Sequence, residues 1–138
     1  MDSNYLSRDK YGMYSDDSGA GPGPKLMGAE TLIGNAVFNP EGENLGVIRE
    51  FMIDMDSGEI AYAVLSFGGF LGMANKLFAV PWRALKLDTE HHRFTLKIAS
   101  AVLKDAPGFD KTQWPSMADE LWKRDVHHFY STPYRPGG

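Results

Sequence analysis

The stretch from Asn44 to Trp82 constrains this chain more than any other. Leu45 to Met55 alternates: Val47, Phe51, Ile53 and Met55 share one face with Arg49, and Ile48, Glu50, Met52 and Asp54 share the other. Period two is the mark of a strand. The first set is the expected core face. Arg49 on that face either lies at the rim with its stem buried or pairs with a carboxylate. The rim is favoured, because unpaired buried charge is costly. A bend or bulge near Gly46 would let the strand wrap. Asp56-Ser57-Gly58 predicts a three-residue hairpin loop, a type I turn followed by Gly58 in the left-handed region. The return strand, Ile60 to Phe67, is apolar on both faces: Ile60, Tyr62 and Val64 on one, Ala61, Ala63, Leu65 and Phe67 on the other. A strand of this kind is overlaid by another element or forms a subunit interface, and the C-terminal segment is the candidate cover. Lys76 to Val80 predicts a further strand that ends at Pro81-Trp82, since proline takes a donor out of the ladder.

The flanking segments extend this pattern. Thr31 to Phe38 reads as a short first strand with a break at Gly34. Asn39-Pro40-Glu41-Gly42 suits a type I turn. Ala84 to Asp88 and Arg93 to Ile98 form a final pair, joined by Thr89 to His92. About six short strands predict a closed barrel or two small sheets. Ala99 to Lys104 suits one or two helical turns, ended by Pro107 and Gly108. Ser116 is the expected cap of a last helix through Asp119. Met117, Leu121 and Val126, with Ala118, Trp122 and Phe129, give it an apolar stripe that would dock on the barrel or on a neighbouring subunit. The expected organisation is a disordered tail over 1–25, rich in Ser, Asp, Gly and Pro. A barrel domain follows over 26–105, then a helical extension over 106–131 and a loose end over 132–138.

A chain of 138 residues that is 43% hydrophobic suits one domain with a real core, although a domain this small gains from self-association. The absence of cysteine excludes disulfides, thiolate nucleophiles and Cys-ligated zinc. A net charge of −4 argues against nonspecific nucleic-acid binding, and the deficit sits in residues 28–105, with 7 basic and 10 acidic side chains. No apolar run approaches the ~20 residues of a membrane helix, and Met1 to Leu6 is no signal peptide. The expected compartment is the cytoplasm, with no membrane partner.

Several chemistries find no pattern to rest on. Gly68-Gly69-Phe70-Leu71-Gly72 fits neither the dinucleotide fingerprint nor a P-loop and reads as a wide turn. His91-His92 and His127-His128 are poor chelators as single pairs, because neighbouring side chains diverge on strand and helix alike. Only if both pairs met, with Asp88 or Glu90 beside them, would a zinc or nickel site form. Asp54, Asp56 and Glu59 stand where turns carry acids. Ser57, Ser66, Ser100, Ser116 and Ser131 lie in no nucleophile-elbow pattern. No catalytic, cofactor or metal residue is expected.

Certain segments together resemble the PRC-barrel domain. They are Gly28-Ala29-Glu30-Thr31-Leu32-Ile33-Gly34, Glu43-Asn44-Leu45-Gly46, Asp54-Met55-Asp56-Ser57-Gly58, Ile60 to Gly69, and Lys76 to Trp82. The likeness spans roughly 28 to 105, and Pro107-Gly108-Phe109-Asp110 with Trp114-Pro115 looks like the tail of stand-alone bacterial members. The resemblance implies a mainly β fold, a small PRC-type barrel of strongly bent strands with short C-terminal helices. The same domain forms the cytoplasmic part of the photosynthetic reaction centre H subunit and the C-terminal half of a ribosome maturation factor. It is not known as a catalytic domain. The implied function is a protein-interaction or assembly module; the doubly apolar strand Ile60–Phe67 and the aromatic tail add self-association, with a homodimer expected first. The interface candidates are Ile60, Tyr62, Val64, Phe70, Leu71, Trp114, Trp122, Phe129 and Tyr130. The alternatives are an accessory factor in ribosome or RNA assembly and a small metal-dependent hydrolase.

Overall fold

The computed structural model describes residues 26–68, 73–88, 90–91 and 93–132. The expected N-terminal tail, the loop residues Phe70 and Leu71, and His92 lie outside them. The described chain is mainly β. In order it runs α1 (Ala29–Leu32), β1 (Ala36–Phe38), β2 (Asn44–Ile53), β3 (Ile60–Gly68), β4 (Met73–Pro81), a 3-10 turn (Trp82–Ala84), β5 (Leu85–Asp88), β6 (Arg93–Leu96), α2 (Ser100–Leu103), β7 (Gly108–Asp110) and α3 (Glu120–Phe129). The strands form one seven-stranded sheet, ordered β5-β6-β1-β2-β3-β4-β7. All neighbours are antiparallel except β1 and β6, which run parallel with Val37 opposite Phe94.

The connections oblige this sheet to curl. β4 and β5 stand five strand spacings apart in the order, about 24 Å if the sheet were flat. Yet only Trp82–Ala84 joins them, and the step from Pro81 to Leu85 spans at most about 14 Å. The sheet therefore rolls into a barrel, held round by this link and not closed by a hydrogen-bonded seam. Trp82 shows the closure directly. Its ring lies 5.6 Å from Phe51 on β2 and 5.8 Å from Phe94 on β6. The core inside the roll includes Leu45, Ile48, Leu65, Phe67, Phe78 and Val80, all at most 2% exposed.

The core face of β2 differs from the one that simple alternation predicts. Leu45, Ile48 and Phe51 are buried, whereas Ile53 and Met55 are 50% and 86% exposed. Two bulges of β2, at Leu45 against β1 and at Arg49 against β3, bring Leu45, Ile48 and Phe51 inward. The register with β3 shifts again between Met52 and Ile53, where β3 has the extra residue, and Met55 lies beyond the strand in the hairpin loop. Each extra residue changes the phase of the pleat. Arg49 is the unmatched residue of the second bulge and is exposed. The bulge near Gly46 is the expected one. Gly46 has φ of 135°, and its N–H donates to Asn44 Oδ1 at 2.8 Å. Other expectations also shift. Thr31–Phe38 is not one strand: the first turn is helical, and Gly34, with φ of 91°, turns the chain so that its N–H donates to Ile48 O. The hairpin loop runs over 55–58, one residue longer than expected, with Asp54 N donating to Glu59 O and Gly58 left-handed at φ 80°. The strand β7 carried no alternation signal in its three residues, and it lines the outer edge of β4.

Candidate docking groove

The return strand β3 is apolar on both faces because it is covered twice. One face meets the interior of the roll, and on the other Tyr62 meets α3, which also seats on β4. Tyr62 lies beneath that helix, its ring 5.3 Å from Trp122 and 5.6 Å from His127. Asp119, not Ser116, caps α3: its carboxylate accepts from Leu121 N at 2.9 Å and Trp122 N at 3.4 Å. The acid stands at the positive end of the helix, where Asp is stabilising. The helix then points Val126 and Tyr130 into the core with Trp122 and Phe129 packed against it. Leu121, counted in the expected stripe, is 61% exposed.

Where α3 and the chain before it approach the end of the β2–β3 hairpin, they leave an open groove of about 820 Å³. Met52, Ile60, Tyr62, Trp82 and Met117 give it an apolar floor. Asp54, Asp56 and Glu59 form one rim, and Arg83, Lys123 and His127 stand along the rest. The hairpin places the acids. Asp54 Oδ1 accepts from Asp56 N at 2.9 Å and Ser57 N at 3.3 Å, and Ser57 Oγ accepts from Glu59 N at 3.2 Å. This is turn chemistry, as the residue types suggest. Lys123 Nζ lies 3.6 Å from Glu120, and His127 Nδ1 lies 2.9 Å from Lys123 O. Burial, reinforced by the Glu120 carboxylate, pushes the Tyr62 hydroxyl up to about 12, so it stays neutral at physiological pH.

The sequence-derived interface residues separate into three groups. Ile60 and Tyr62 line the groove, with Trp122 beside Tyr62. Val64 and Tyr130 are buried within the chain itself, and Phe129 is half-buried against Tyr130 at 5.0 Å. Trp114 stands apart, 43% exposed, with its ring 4.9 Å from Phe109 and Nε1 donating to Lys111 O. Phe70 and Leu71 are outside the described residues. Trp82, Met52 and Met117 were missed as site residues. The one available signal was the aromatic directly after Pro81, where a strand must end.

The histidine pairs do not combine among the described residues. The cluster with metal-ligand spacing is Asp88, Glu90 and His91, whose ligand atoms lie within 4.8 Å of one another, and it does not include His127 or His128. Its geometry serves the β5–β6 hairpin. Asp88 Oδ1 accepts from Glu90 N and His91 N at 3.1 Å each, and Oδ2 lies 2.9 Å from His91 Nδ1. The His91 ring, then its backbone N–H, holds the Asp88 carboxyl below its ordinary value. Among the described residues no helix is long and apolar enough to cross a membrane.

Compared with known proteins, the chain matches the family model of the PRC-barrel domain over residues 24–103. No curated protein matches it.

Proposed function

The chain belongs to the PRC-barrel domain family, and from that premise we propose a non-catalytic docking module that receives a partner protein in the groove beside the β2–β3 hairpin. The family is a non-catalytic domain type associated with protein interaction. The carrying observation is the groove itself, an apolar floor with a charged rim at the end of the β2–β3 hairpin. That is the anatomy of a protein-binding patch, with an apolar centre and polar margin. The acids of its rim count against an RNA backbone as the occupant. The homodimer expected from the sequence is kept in this reading with a changed surface. With β3 covered by its own chain, Trp114, Val102 and Leu121 are among the exposed apolar side chains that a second copy would cover. The reading assigns the protein to the cytoplasm.

The test is affinity purification from the source cells with the full chain and with Ala118→Arg. Ala118 is exposed and lines the groove, so the long side chain obstructs it without disturbing the core. Proteins retained by the native chain should be lost from the variant. Recovery of the same set by both would sink the proposal.

A further inference from the structure

Within the docking reading just given, on which this step rests, we infer that the groove takes a protein segment carrying a basic side chain next to an apolar one. The charge balance of the lining points that way. Asp54, Asp56 and Glu59 crowd one rim because a single tight loop holds them. Among the described residues none of the three is in an ion pair; those pairs are His91–Asp88 and Lys123–Glu120. Against the three carboxylates stand Arg83, Lys123 and His127; Lys123 is already matched by Glu120, and His127 turns its Nδ1 to Lys123 O. The rim is thus a negative arc with no cation among the described residues bound to it. Carboxylates of one sign focus a field that draws in a positive partner and repels a negative one.

The floor supplies the second half of the recognition. Ile60 and Trp82 are half-buried, and Ile53 is 50% exposed on the same strand end as the acids. An apolar side chain laid on Ile60 and Trp82 brings its neighbour in sequence to the acidic rim. Trp82 also offers an aromatic face on which the stem of a lysine or the plane of an arginine can rest. A segment with Lys or Arg beside Leu, Phe or Met satisfies both surfaces at once. An acidic or purely apolar segment satisfies only one.

The experiment pans a random twelve-residue peptide display library on the immobilised full chain and measures the enriched peptides by fluorescence anisotropy. Enriched peptides should pair Lys or Arg with a large apolar residue. Their affinity should fall about fivefold or more in the Asp56→Lys/Glu59→Lys double variant. It should also weaken between 50 and 300 mM NaCl, as exposed charge pairs do. Both substituted residues are exposed, and circular dichroism checks that the variant is folded. Acidic or uncharged peptides, or unchanged affinity in the double variant, overturn the inference. If such peptides are nonetheless displaced by Ala118→Arg, the docking groove stands and only its charge preference falls. If binding survives Ala118→Arg as well, or no peptide is enriched, both fall. A homodimer that Ala118→Arg dissociates assigns the groove to a second copy and also overturns the inference.

Discussion

Gly46 is the residue on which the bend of β2 depends. Its φ of 135° lies where L side chains are strained, and an added Cβ would strike Ser66 O and the Phe67 ring. Gly46→Ala should therefore destabilise the fold by about 3 kcal/mol, read from urea unfolding. An unchanged midpoint would mean that the bend is absent. Tyr130 carries the opposite expectation. Its hydroxyl is buried with no hydrogen-bond partner among the described residues, and burial pushes it well above its ordinary value. A buried hydroxyl without a partner costs about 1–3 kcal/mol. Tyr130→Phe should therefore leave stability unchanged or raise the melting temperature, and a clear loss would reveal a partner that the structure lacks. Glu43 links acid to the fold. Its carboxylate accepts from Asn39 Nδ2 at 2.6 Å and from Ser100 N at 3.4 Å, and these bonds hold it below its ordinary value of 4.5, with Asn39 the larger cause. A carboxyl lowered on folding adds stability above its unfolded value and loses it as the pH falls through the folded one. Stability should thus decline as the pH drops below about 4.5, and Glu43→Gln should flatten that decline in a pH series of melting curves.

At the scale of the element, the two bulges of β2 decide which side chains carry the core. Ile48 is fully buried and Ile53 half-exposed, the reverse of what unbroken alternation requires. Ile48→Ala should cost about 2–5 kcal/mol and Ile53→Ala less than about 1 kcal/mol. Equal losses in denaturant unfolding would restore the unbulged strand. The helix α3 has its own dependency. Asp119→Ala removes the carboxylate that accepts from two backbone N–H groups at its start, a loss of about 1 kcal/mol. Because Trp122 covers Tyr62, fraying there should also raise the exposure of the tyrosine, visible as fluorescence quenching by acrylamide.

For the whole molecule, the two expected associations use different surfaces. In the proposed reading the groove would receive a partner of basic and apolar character, and Trp114 with Leu121 would meet a second copy. Light scattering should give a dimer that Trp114→Lys/Leu121→Lys dissociates. A strict monomer at high concentration would remove self-association from the proposal and leave the groove untouched. The three-residue link fixes the roll of the sheet, so the hairpin ends can vary without unrolling the core.

Much of the fold was legible in the chain alone because it depends on neighbours in sequence. The turn at Asn39–Gly42 is closed by Gly42 N donating to Asn39 O at 2.9 Å. Gly58 enters the left-handed region, and β4 stops at Pro81. Each follows from local backbone chemistry, and so does the pattern shared with the PRC-barrel domain. The buried face of β2 was not legible, since a bulge is defined by the partner strand against which a residue is left over. Nor was the short edge strand β7, which exists only because β4 offers it a ladder. The groove lay furthest from reach. It gathers Met52 to Tyr62, Pro81 to Arg83 and Met117 to His127. Only the curl of the sheet and the seat of α3 bring these segments together, and both depend on contacts between residues far apart along the chain.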